Sequence, residues 1–123
     1  MNPPTGEPMT ALGSNCSITA PTIALELTDV RTDQLIAGRP QTGTAELGTI
    51  GDVEIGVWEM TEGTMRDVEA EEVFVVLTGR AVVEFDDGTA PLHLQSGDVA
   101  RLAAGARTVW TVTERLRKVY ITA

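Results

Sequence analysis

From Leu47 to the C-terminus the chain is a succession of short apolar runs, each closed by a turn before a helical period can establish itself. "VEIGVWEM" sets Glu54, Gly56, Trp58 and Met60 on one face and Val53, Ile55, Val57 and Glu59 on the other, which is the two-residue period of a strand. "EVFVVLTG" is apolar on both faces, as a strand is when it is covered on two sides. "RAVVEF" comes next, then "DDGT", where Asp87-Gly88 signals a hairpin. "PLHLQ", "VARLA", "TVWTVT" and "KVYIT" complete the series, with turns at "SGD" and at Gly105. Ahead of it, "TIALELT" places Ile23, Leu25 and Leu27 on one side of a further strand. "TDQLIAG" reads as a helical turn started by Thr32 or Asp33 and stopped by Gly38. Roughly eight short strands with a turn every ~8–12 residues and almost no helix predict an all-β sandwich or barrel.

A chain of 123 residues supports one domain with a real core. Residues 1–21 hold four of the six prolines and a single charge, Glu7, so little there repays ordering entropy. They are expected to form a flexible N-terminal arm, with the folded domain spanning 22–123. The formal net charge is −9, from nine basic and eighteen acidic residues. Such a surface repels phosphate backbones and anionic headgroups, which argues against nucleic-acid and membrane partners. The one cysteine, Cys16, excludes an intrachain disulfide and is expected as a free surface thiol. No apolar stretch approaches the ~20 residues that cross a bilayer, and the first residues lack the pattern of a secretory signal. The expectation is a cytoplasmic protein.

The stretch "GTMRDVEAEEVFVVLTG", Gly63 to Gly79, resembles the first motif of the cupins, in which a glycine, two histidines and a glutamate precede a closing glycine. Gly63, Glu72 and Gly79 fit it. Gly97-Asp98 and Gly105 fit the second motif, with Ala103 where proline is usual. A narrower likeness, carried by "GVWEMTEG", "SGDVARLAAG", Trp58, Trp110 and the closing Arg117-Lys118-x-Tyr120, is to the cupin domain of ureidoglycine aminohydrolases. The resemblance implies a single jelly-roll β-barrel of two antiparallel sheets, and a homodimer formed by sheet augmentation. It also implies a metal held by histidines, and here the sequence departs from it. The motif's histidine positions fall on Arg66 and Val68, or on Glu69 and Glu71 in another register, and that of the second motif falls on Thr108. Only Glu72 remains, while His93 lies on a different strand. A transition-metal centre wants three or four converging ligands, so neither metal nor cofactor is expected.

If Glu72 points into the barrel, its carboxylate needs a partner, because an unpaired buried charge costs several kcal/mol. Arg66, Lys118 and Tyr120 are the candidates. Such a pair either grips a small ligand or merely plugs the barrel. Trp58 and Trp110 either stack a ligand or fill the core. Asp67, Glu69, Glu71 and Glu72 form an acidic patch that either holds a hard cation or is a solvated loop. "RLRK", Arg115 to Lys118, is expected to pair with these carboxylates. Three functions stay open. The first is a metal-independent pocket for a small polar metabolite, lined by Trp58, Arg66, Glu72, Thr108, Trp110, Lys118 and Tyr120. The second is an enzyme acting on a nitrogen-rich small molecule with Glu72 as general acid or base. The third is an assembly module with no ligand.

Overall fold

A computed structural model describes residues 12–123. After a short 3-10 turn at Ala20–Thr22 come nine strands: β1 (Thr28–Asp29), β2 (Leu35–Gly38), β3 (Gln41–Ile50), β4 (Val53–Met60), β5 (Gly63–Val68), β6 (Glu72–Phe85), β7 (Leu92–Gln95), β8 (Val99–Leu102) and β9 (Arg107–Thr122). The two long strands, β6 and β9, run antiparallel from Glu72↔Thr122 to Phe85↔Thr108. Along its other edge β9 pairs with two strands in turn. β5 takes Arg107–Val112, and β4 takes Leu116–Thr122. β3 and then β1 extend the sheet beyond β4, and β2 extends it beyond β5. The free edge of β6 is likewise divided between β8 and β7. The result is an all-β jelly roll of two antiparallel halves that share two bent strands.

The bend falls at Gly79. Glu72, Phe74 and Val76 face the interior before it, and Ala81 and Val83 after it, so the inward phase shifts by one residue. The register with β9 slips at the same place. Gly79 has φ +94°, and a Cβ there would collide with the backbone of Arg115 and Leu116. Only glycine allows both the left-handed conformation and that approach.

Two apolar clusters result. Inside the barrel, Met60, Met65, Phe74, Val83, Leu102, Trp110 and Leu116 are buried among others. On the outer face, Ile23, Leu47 and Val57 are covered by Leu12, Ile18, Ala20 and Leu25. The chain ahead of β1 is tied down there. The Leu12 N–H donates to the Leu47 carbonyl at 2.6 Å, and the Arg117 guanidinium donates to the carbonyls of Ala20 (3.0 Å) and Ile23 (2.7 Å). Beneath it lies Glu59, which accepts from Arg117 at 2.8 Å and also from Arg115. Burial alone would raise the Glu59 pKa, but the two guanidiniums outweigh it and hold the carboxyl below its usual value. Of the expected arm, residues 1–11 lie outside the described residues, and 12–21 lie against this outer face.

Several local expectations differ from the structure. The helical turn expected in "TDQLIAG" ends before Leu35 rather than at Gly38. The Arg31 carbonyl accepts from the N–H groups of Gln34 and Leu35, and after that one turn Leu35–Gly38 pairs with β5 as an edge strand. Pairing outweighs local propensity here. In "TIALELT" Ile23, Leu25 and Leu27 do share the covered side, but only Thr28–Asp29 joins a ladder. "EVFVVLTG" and "RAVVEF" are one strand, because Gly79 bends the chain without ending it. "TVWTVT" and "KVYIT" are also one strand. Gly63–Val68, where no strand was expected, is β5. Among the described residues no helix is long and apolar enough to cross a membrane.

The Gly79→Ala variant is expected to lose about 3 kcal/mol or more, at or past the upper end of ordinary single substitutions. Urea unfolding measures this, and an unchanged midpoint would mean that the bend does not rest on this glycine.

Candidate functional site

β9 carries most of the interior chemistry. Its two-residue period points Thr108, Trp110 and Val112 inward ahead of the bend, and Leu116, Lys118 and Tyr120 inward after it. Lys118 lies between Trp58 of β4 and Val76 of β6, its partners in the two flanking ladders. Its side chain is therefore largely withdrawn from solvent, and the ammonium is held by what surrounds it. Nζ donates to Glu72 Oε2 at 2.6 Å and lies 4.7 Å from the Trp58 ring centroid, 4.3 Å from Phe74 and 4.8 Å from Trp110. The side chains of Lys118 and Glu72 are 6% and 13% exposed. The ring faces supply negative quadrupole and Glu72 supplies the counter-charge, so this ammonium is caged. The rings brace one another, with Trp58 and Trp110 edge-on at 5.4 Å and Phe74 tilted against Trp110 at 5.8 Å.

Around the cage stand further carboxylates. Glu69 Oε2 accepts from the Thr108 hydroxyl at 2.6 Å and from the Trp110 indole N–H at 2.9 Å. Asp67 Oδ1 accepts from the Val68 backbone N–H at 2.8 Å and, at 3.5 Å, from the Gln34 amide. Burial, with Glu69 beside it, pushes the Asp67 carboxyl up to about 6. The Tyr120 hydroxyl donates to Glu54 at 2.8 Å. Its ring lies over Gly56, its ladder partner, where a Cβ would collide with it. Burial first, then Glu54, Glu46 and Glu72, raises the Tyr120 phenol above its usual value. These groups enclose a cavity of about 170 Å³, bounded by Trp58, Trp110, Lys118, Tyr120 and the carboxylates of Asp67, Glu69 and Glu72. Thr44, exposed on β3, forms part of its wall and marks its mouth.

Five of the residues singled out in the sequence, Trp58, Glu72, Trp110, Lys118 and Tyr120, converge on this cavity. Thr108 is buried behind its wall and acts on it through Glu69. Arg66 is not brought there. The register of β5 turns Met65 and Asp67 inward, so Arg66 and Val68 face outward, and Arg66 lines an external groove with Arg31 and Arg107. Glu71 also faces out, on Arg101 at 3.2 Å, and His93 is exposed on β7. Of "RLRK", Lys118 pairs with a carboxylate of the acidic patch, whereas Arg115 and Arg117 pair with Glu59. Thr44, Asp67 and Glu69 were not singled out as pocket residues, although the alternation Met65, Asp67, Glu69 was available as a signal.

Residues 47–120 match the model of the EutQ-like cupin domain. The chain belongs to that family. Solved structures agree with the fold of this EutQ-like cupin. The Clostridium difficile EutQ protein is 23% identical, with a TM-score of 0.66 over 86% of this chain and 84% of that one. A protein of unknown function from Pseudomonas syringae pv. tomato is 26% identical, with a TM-score of 0.70; 83% of this chain matches 45% of that chain, so the likeness spans less than half of its length. A cupin superfamily protein from Desulfitobacterium hafniense is 18% identical, with a TM-score of 0.59 over 92% and 94% of the two chains. None of the curated proteins matches the chain.

The residues present do not suit the metal that cupin motifs imply. No imidazole reaches the cavity, Glu72 is committed to an ammonium, and Glu69 Oε2 already accepts two hydrogen bonds. Among the described residues no group of three or more His, Cys, Asp or Glu is arranged to hold an ion. In this EutQ-like cupin the fixed positive charge at the barrel's centre belongs to a lysine.

A buried pair is costly to break and less costly to replace whole. Glu72→Gln and Lys118→Met are each expected to lose about 3–5 kcal/mol, while Glu72→Met with Lys118→Met recovers most of that loss. Chemical denaturation of the four proteins measures this, and additive losses would mean that the two groups do not depend on each other.

Proposed function

We propose that this protein binds a small polar metabolite in the barrel cavity, without a histidine-held metal. One observation carries the reading: a polar cavity of about 170 Å³ adjoins the caged lysine and reaches the surface at Thr44. An ion pair that merely plugged the barrel would leave no open space beside it. Instead open space remains, bordered by three carboxylates, an ammonium and a phenol beside two indoles, a mainly polar lining with flat apolar walls against which a polar ligand can be oriented. The volume is below that of a drug-sized site, so the ligand is a small one.

The catalytic alternative is kinship with ureidoglycine aminohydrolases, with Glu72 exchanging protons with a nitrogen-rich substrate. It requires a Glu72 free to approach its substrate. The 2.6 Å contact with Lys118 commits that carboxylate elsewhere and favours binding over turnover.

A panel of small polar metabolites, read by thermal shift, tests the proposal. A ligand that binds only the folded state at a hundred times its Kd stabilises by about 2.7 kcal/mol. The expected result is a raised Tm in the parent protein and none in Thr44→Trp, which blocks the mouth. Equal shifts in both proteins, or no shift across the panel, would contradict the reading.

A further inference from the structure

We infer that the ligand of this cavity is a small organic cation, a protonated amine whose charge sits on the Asp67–Glu69 side and whose apolar part lies on the Trp58 indole. This inference rests on the binding reading above and narrows it to a chemical class.

Negative charge predominates around the cavity. Asp67, Glu69 and Glu72 border the cavity, and Glu54 and Glu46 act on Tyr120 at its edge, whereas among the described residues Lys118 is the one cationic side chain lining it. Glu72 is matched by that lysine. Glu69 is held only by neutral donors, the Thr108 hydroxyl and the Trp110 indole, and Asp67 only by a backbone N–H and the Gln34 amide. Neutral donors solvate a carboxylate but leave its charge in place. The cavity is therefore short of positive charge, and an anionic ligand would face like charge on several sides.

The same enclosure already holds an ammonium, that of Lys118, through one carboxylate and three ring faces at 4.3–4.8 Å. Aromatic rings edged by carboxylates are the chemistry that selects alkylammonium ions. Trp58 is only half-buried and borders the cavity, so part of its surface is left for a second apolar contact.

Affinity should then follow the charge on Asp67. The charged groups around it are Glu69 beyond β5, Glu72 of β6 and Lys118 of β9, and in the groove outside three arginines, Arg31, Arg66 and Arg107, with three acids, Asp33, Glu84 and Asp86. Because its pKa is raised to about 6, Asp67 is mostly neutral at pH 5 and ionised at pH 8.

The test uses the full chain at one ionic strength, with propylammonium chloride, sodium propionate and propionamide, each followed by calorimetry and thermal shift. Propylammonium is expected to bind and raise Tm at pH 8, to bind about tenfold more weakly at pH 5, and to lose its effect in Thr44→Trp. In Asp67→Asn the pH dependence disappears and the weaker affinity holds at both values. Propionate or propionamide binding through the cavity while propylammonium does not would overturn the cation inference and leave the binding site standing. Silence from all three probes would overturn the cation inference, and silence across the metabolite panel as well would remove the site. Propylammonium binding that is unchanged in Thr44→Trp lies elsewhere on the protein and also refutes the inference.

Discussion

The interior of this barrel is arranged around one ion pair. An ammonium taken out of water must recover its solvation from the protein, and the Lys118 group does so from the Glu72 carboxylate and the faces of Trp58, Phe74 and Trp110. That requirement accounts for much of what surrounds it. The three rings come from three different strands, β4, β6 and β9, and meet at one point, which ties the registers of the two ladders that join them. The Trp110 indole N–H, once buried, needs an acceptor, and Glu69 supplies it. Thr108 then has a carboxylate for its own hydroxyl. The polar groups of the wall thus follow in sequence from the placement of a single charge.

The same strand governs the outer surface. Leu116, Lys118 and Tyr120 face inward from β9, while Arg117, between Leu116 and Lys118, faces outward, onto Glu59 and the carbonyls of Ala20 and Ile23. One short run of sequence therefore ties down the leading segment on one side of the sheet and supplies the cavity's cation on the other. Two-residue periodicity makes this possible, and the Gly79 bend makes it reach both halves of the jelly roll.

Much of the fold was legible in the sequence, because alternation and glycine turns are local signals. β4, β7 and β8 stand where their patterns place them. What escaped depends on partners distant in sequence. β5 carries the residues Thr64-Met65-Arg66-Asp67, which have no strong strand character, and it is a strand because β9 pairs with it. That one element decided the site. With no strand expected over Gly63–Val68, Arg66 stood as a pocket residue, and Asp67 and Glu69 as part of an acidic patch, either a cation site or a solvated loop. With β5 in register, Arg66 turns outward and the two acids turn in. The tryptophans, Glu72, Lys118 and Tyr120 were recognisable as interior groups from the cupin motif and strand parity. That Lys118 would be the partner of Glu72, out of three candidates, depended on the long-range register of β6 against β9.

The most direct measurement of the central claim is nuclear magnetic resonance of the Lys118 side chain, assigned by comparison with Lys118→Met. An ammonium enclosed by three aromatic faces and a carboxylate should have its ε-methylene protons moved far upfield by ring currents. Its N–H protons should exchange slowly enough with water to be detected at neutral pH. Lysine ε-methylene signals at their ordinary solvated position, with rapid exchange, would contradict the claim that this side chain provides the charge at the centre of the barrel.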